Sequence, residues 1–214
     1  MDKVVKACID VFHLDDKVRI IDLGCGVGKP NWHFIIYNAD VSIGIDCVSQ
    51  RIGYAFKSSS EILLECKSID NLAYDKINIG FKCVDITNVS SLAYFDLIYM
   101  SDCGFTPDLL KHIAKLTLSG GRCRYLVSYH NNRTLQRYGF QVKLVHKITK
   151  LSLFGSKSSR TAYFYMISVP YHLVNDHPLI DGNLCDVVSL AKRTYSSKLH
   201  KYQELTSEYF DIKM

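Results

Sequence analysis

Residues 18–28, VRIIDLGCGVG, set an almost unbroken apolar run directly before three glycines at every second position. Such a run is expected of a strand buried on both faces, which occurs where helices cover both sides of a parallel sheet. The turn that follows, with Gly24, Gly26 and Gly28, offers backbone angles that side chains disfavour and leaves bare main chain beyond the strand end. A chain that opens this way is pressed toward an α/β architecture with a ligand-sized approach at its first turn.

The downstream sequence repeats the unit. VSIGID (41–46) reads as the second strand, and SQRIGYAFKSSSEILLECKS as the helix after it, with Ile52, Ala55, Phe56, Ile62, Leu63 and Cys66 on its inner face. IGFKCVD (79–85), FDLIYMS (95–101) and RCRYLVSYH (122–130) read as further strands. TPDLLKHIAKLTL (106–118) is predicted as a helix with Thr106 as N-cap and Pro107 at its first position, ended by Gly120-Gly121. FQVKLVHKITKLSL and SRTAYFYMISVP, joined by FGSKSS, form an expected antiparallel pair at the sheet edge. The fold class predicted is α/β, doubly wound and mainly parallel, with an antiparallel last hairpin. An amphipathic helix precedes it at 2–13, and residues 186–209 return to a helical pattern. Residues 1–170 are expected to form the domain, and 171–214 a helical C-terminal extension packed on it or trailing from it.

With 214 residues and 48% hydrophobic content, one globular domain suffices. No apolar stretch is long enough to span a bilayer, and the N-terminus lacks a signal-peptide core. The eight cysteines lie singly with no C-x-x-C pair, and the histidines have no metal-like spacing, so neither a zinc site nor a disulfide framework is expected. An intracellular setting, nuclear or cytoplasmic, with reduced thiols and no membrane partner follows from these features.

The glycine turn is D-x-G-x-G-x-G, with Asp22 at the strand end, where a dinucleotide site would show G-x-G-x-x-G. A carboxylate there repels a diphosphate but suits a ligand with a positive amino group. IDLGCGVG resembles motif I of the class I S-adenosylmethionine-dependent methyltransferases, and the strand order resembles that family's seven-stranded sheet with a reversed final pair. The resemblance implies S-adenosyl-L-methionine as cofactor, held by Asp22, Gly24, Gly26 and Gly28. It also implies that Asp46, ending IGID, accepts the ribose hydroxyls, that Asp85, ending KCVD, bonds the adenine amine, and that Ile86 packs on the ring. Read from the residues alone, the plainer alternative for Asp46 and for Asp85 is a helix N-cap, a lesser reading for Asp46 than for Asp85.

YMSDCGFTPDLLKHIAKLTLSGGR (99–122) resembles the fourth-strand region of Dot1-like histone-lysine methyltransferases, with Phe105, Pro107, Asp108, Gly120 and Gly121 on the pattern and Ser101-Asp102 where that family has paired asparagines. GVGKP and the late hairpin are similar to the same family. This implies a protein substrate, a histone or nucleosome, with Ser101, Asp102 and Phe105 at the catalytic position. Phe105, Phe154, Tyr163 and Tyr165 would line an apolar channel for the lysine. Asp102 is read either as a group that draws in the acceptor or takes its proton, or as a cap or cofactor ligand.

Two other functions stay open. RNA or another nucleic acid is a possible acceptor, given a net charge of +5 and the cations interleaved with aromatics in HNNRTLQRYGFQVK (130–143), a stretch otherwise read as a solvated loop. A methyltransferase-fold binding protein or scaffold without turnover is the third.

Overall fold

The computed structural model describes residues 2–67, 77–119, 121–152, 159–168 and 180–211. Seven strands form one sheet: β1 (Arg19–Leu23), β2 (Val41–Asp46), β3 (Ile79–Cys83), β4 (Leu97–Met100), β5 (Tyr125–Ser128), β6 (Val142–Ser152) and β7 (Ser159–Ile167). Their spatial order is β3-β2-β1-β4-β5-β7-β6. Pairing is parallel from β3 through β5, and antiparallel between β5 and β7 and between β7 and β6. The reversal expected of the last pair is thus confined to β7, because β6, two antiparallel steps from β5, regains the common direction.

The helices are α1 (Asp2–Phe12), α2 (Lys29–Ile36), α3 (Ser49–Lys67), α4 (Pro107–Leu118), α5 (Asn132–Arg137), α6 (Cys185–Ala191) and α7 (Tyr195–Asp211). Every side chain of β2 and β4 is buried, as the apolar runs require of strands covered on both faces. Alternation along β1 then sorts its residues: Ile21 and Leu23 join the core beneath α4 and α6, while Ile20 joins the opposite core with α1 and Phe34. Chain order reverses at β1, which has β2 on one side and β4 on the other. A crevice outside the carboxyl ends of these strands is where ligands bind in sheets of this kind.

Residues 130–143 depart from the expected loop. Asn131 Oδ1 accepts from the Thr134 N–H at 3.0 Å, capping α5, and Leu135 is buried beneath it. One turn of helix with a single apolar contact carries no readable periodicity.

The described part of the C-terminal segment is built into the fold. The link between β3 and β4 holds only a 3-10 turn, Ile86–Asn88, and α6 covers the same face of β2 and β3 that α4 covers nearer the centre. Gly80 on β3 permits this, since a Cβ there would stand 2.9 Å from both the Val187 side chain and its carbonyl oxygen. Asp181 staples the segment to the link, accepting the Ser90 and Ser91 N–H groups at 2.9 and 3.1 Å, and Asn183 Nδ2 donates to the Asn88 carbonyl at 2.6 Å. Behind it α7 packs on α3, where the Tyr195 hydroxyl donates to the Leu63 carbonyl at 2.7 Å and the Tyr202 hydroxyl to that of Ile79. All eight cysteines are free thiols. No helix among the described residues is long and apolar enough to cross a membrane.

Candidate functional site

The turn after β1 is held from below. The N–H groups of Gly24 and Cys25 both donate to the Ile45 carbonyl, at 2.9 and 3.0 Å, tying it to β2. Asp46, 3% exposed at the end of β2, accepts the Gly26 N–H at 3.1 Å, the Val48 N–H at 2.8 Å and Arg51 Nη1 at 3.4 Å. The carboxylate expected to meet ribose hydroxyls therefore also fixes the middle of the glycine turn. Arg51, absent from the sequence reading, shares it; an arginine five residues beyond a strand-end aspartate was the available signal.

All three glycines take left-handed backbone angles, but their surroundings differ. At Gly28 (φ +76°), which begins α2, a Cβ would fall 2.3 Å from the Phe81 ring, so this glycine serves close packing of helix on sheet. At Gly24 the nearest atoms to such a Cβ would be those of the Phe105 ring, at 3.1 Å. At Gly26 (φ +58°) no atom of the described residues lies within 4 Å of where a Cβ would stand, and the turn is open there.

Asp22 lies on β1 between Gly44 of β2 and Tyr99 of β4, and is 1% exposed. Its Oδ2 is buried with no hydrogen-bond partner among the described residues. Burial pushes its carboxyl well above the ordinary range, and the charge of Asp46 pushes it further. A buried acceptor left without a donor is uncommon, and it fits a ligand that brings one, above all a cationic one.

Beyond β3, the exposed Asp85 caps the 3-10 turn, its Oδ1 accepting both the N–H and the hydroxyl of Thr87 at 2.8 Å. The Thr87 N–H and then its hydroxyl hold the Asp85 carboxyl below its usual range. Ile86 is buried in the same core cluster as Ile45 and Val89, so most of its side chain packs inward.

At the end of β4 the two halves of the Ser101-Asp102 pair part. Ser101 is exposed and makes no cap bond. Asp102 is fully buried and turned onto β5, accepting the Ser128 hydroxyl on one oxygen and the Tyr129 N–H at 2.8 Å on the other. Desolvation raises its pKa against these bonds. Its geometry is that of a latch between β4 and β5; a group that reaches an acceptor would need an oxygen to spare. Phe105 is half-buried against Gly24, at the boundary between turn and β4.

Tyr165, expected to line a channel, is instead a core residue of 0% exposure whose hydroxyl donates to the His130 carbonyl at 2.8 Å. Tyr163 stacks on it, with ring centroids 6.2 Å apart. Phe154 lies outside the described residues. Cys103 on the same rim, unremarked in the sequence, is exposed and hydrogen-bonds with Arg160 of β7; desolvation raises its thiol pKa although the guanidinium draws it down. Among the described residues no group of three or more His, Cys, Asp or Glu is placed to hold a metal ion. A separate cavity of about 270 Å³ opens between β3, α3, α6 and α7, with Phe56, Phe81 and Tyr209 in its walls and the Lys82–Asp186 ion pair (2.7 Å) among its lining.

This strand order, with a glycine turn after β1 and acids at the ends of β1 and β2, is the fold of the class I S-adenosylmethionine-dependent methyltransferases. The sequence matches no family model and no curated protein. The structure is similar to magnesium protoporphyrin IX methyltransferase of Synechocystis PCC 6803 with bound SAM, at TM-score 0.56 and 17% identity over 78% of this chain and 77% of that one. It is also similar to the methyltransferase domain of a bacterial Hen1, at 0.52 and 12% over 78% and 97%. A third likeness is to TrmK of M. capricolum in complex with S-adenosyl-homocysteine, at 0.50 and 9% over 82% and 71%. These likenesses carry the fold; they do not carry the Dot1-like branch.

Proposed function

We propose that the protein is an S-adenosylmethionine-dependent methyltransferase. The observation that carries this is the buried Oδ2 of Asp22, without a partner among the described residues, beside a glycine turn that is open at Gly26. That the compared structures are named as holding SAM or S-adenosyl-homocysteine supports it. The cofactor supplies a methyl group activated by a positive sulfonium. In this chain Gly24 and Gly26 present bare main chain to it, and Asp22 gives its amino group a buried negative acceptor. Asp46 would take the ribose hydroxyls in exchange for part of its hold on Arg51. Asp85 and Ile86 border the base, Asp85 with its second carboxylate oxygen. Transfer in line needs chiefly that acceptor and methyl be held in contact, so no covalent intermediate on the protein is called for.

Ser101 and Phe105 border the place where the acceptor enters. By the Dot1-like resemblance alone, that acceptor would be a protein lysine of histone type. Its ammonium must first lose a proton, and Asp102, engaged by Ser128 and Tyr129, is poorly disposed to take it. A nucleic-acid acceptor is the second reading, and the charge distribution favours it. Calorimetric titration with S-adenosylmethionine tests the cofactor site: measurable heat from the native chain, reduced in Asp22→Asn, is expected. No heat from the native chain would leave a binding protein or scaffold that keeps the fold alone.

A further inference from the structure

Between Asp108 and Asp176 the chain contains no acidic residue at all, while the same stretch carries eleven lysines and arginines. At the overall density of 21 acids in 214 residues, a span of that length would hold about seven. The net charge of +5 is therefore the sum of a strongly basic third and an acidic remainder. The basic third comprises most of α4 with β5, α5, β6 and β7, the side of the sheet opposite β3.

The structure places these cations where a strand could follow them. Lys143, Lys147 and Lys150 are exposed along β6, the edge strand, and Arg133 and Arg137 are exposed on α5, which packs beside it. None of the five has a carboxylate within ion-pair distance among the described residues. Lys147 pairs across β6–β7 with Tyr163, and Tyr163 across β7–β5 with Ser128, so Lys147 stands level with the carboxyl end of β5. Lys150 lies further on, beside Leu151, whose partner is Arg160, and Arg160 bonds Cys103 on the rim of the candidate site. Arg133 lies in the first turn of α5, just beyond the same strand end. The row thus leads from the outer edge of the sheet to the mouth of the site.

Lysines on an edge strand also deter pairing with a second sheet. That accounts for β6 alone; it gives no reason for α5 to be basic or for acids to be missing from β5, β7 and most of α4. From Lys143 to Lys150 the strand spans about 20 Å, the length of roughly six nucleotides at ~3.4 Å each. Resting on the methyltransferase reading above, we infer that this face binds the phosphodiester backbone of a nucleic acid and that the methyl acceptor is carried on that strand.

The test uses the whole chain and a fluorescent single-stranded RNA of twenty nucleotides, with DNA of the same sequence, single-stranded and duplex, in parallel arms. Anisotropy should show binding that weakens with salt. The triple variant Arg133→Glu, Lys147→Glu, Lys150→Glu should lose at least thirtyfold in affinity, and its log–log salt slope should flatten by about two. Preference among the arms names the nucleic acid. If the reversed charges lower the melting temperature, the triple glutamine variant should still flatten the slope. The heat of S-adenosylmethionine binding should be unchanged in both, so a failed cofactor site and a failed nucleic-acid face are told apart. Absence of binding by the native chain to every arm, or an unaltered salt slope in the variants, would overturn the inference. So would label from radioactive cofactor appearing on histone protein and on no nucleic acid.

Discussion

Two central strands, β1 and β4, end side by side, and each brings a buried aspartate to the same rim. Asp22 leaves one oxygen with no donor among the described residues, whereas Asp102 has both oxygens engaged by Ser128 and Tyr129 of the neighbouring strand end. Burial raises the pKa of both. The difference lies in what completes each: Asp102 is satisfied by the neighbouring strand end, and Asp22 Oδ2 by nothing among the described residues. A buried acid at a strand end is therefore evidence of a ligand only after its bonds have been accounted for.

The sharpest way to break the comparison is Asp102→Ala. It strands a buried hydroxyl and a part-buried N–H, and should lower unfolding free energy by about 3 kcal/mol, while cofactor heat in the folded fraction stays within a fewfold of native. If cofactor binding vanishes and stability does not change, Asp102 belongs to the site and the contrast fails.

Within the β1 turn, Gly28→Ala adds contact with the Phe81 ring to an unfavourable φ and should cost about 2 kcal/mol in chemical denaturation. Gly26→Ala meets only the φ penalty, about 1 kcal/mol, yet should weaken cofactor binding more than its stability loss suggests. Equal effects of the pair on binding would show that the open space at Gly26 is not where the ligand lies.

Asp22→Asn should weaken S-adenosylmethionine about tenfold, ~1.4 kcal/mol, without loss of stability. Its pH dependence has a definite sign. Because burial favours the neutral carboxyl, the folded chain binds a proton more readily there than the unfolded chain does. That contribution to stability is full at low pH and declines as pH rises through and above the ordinary carboxylate range. Asparagine removes the decline, so the melting temperature of the variant relative to native should climb with pH; a flat difference would mean that Asp22 is not buried as described.

The smallest effect is expected at Asp85→Ala. An exposed cap on a single 3-10 turn is worth less than about 1 kcal/mol, and thermal melts should barely register it. A large loss of cofactor affinity there would show that its second oxygen does serve the base.

The glycine turn and the central strands were legible because local rules determine them: strands covered on both faces must be apolar, and a turn of left-handed residues must be glycine. The orientation of Asp102 was not legible, since its partners lie on β5 and nothing within its own segment indicates them. Tyr165 likewise read as a wall of the lysine channel, because its partner, the His130 carbonyl, lies far from it along the chain. Helix α5 rests on the Asn131 cap and Leu135, too little apolar pattern for a period to show. Helix α6 could be read as helical, but its place over β2 and β3 is set by Asp181 and Gly80, through contacts far apart along the chain.

That last placement bears on how the molecule is made. Residues 181–191 emerge from the ribosome after all seven strands, so during synthesis the apolar face of β2 and β3 lacks α6 until that segment follows. Until then the nascent chain carries a half-clad sheet, a state that favours a chaperone's company and makes the joining of early and late segments wait on synthesis.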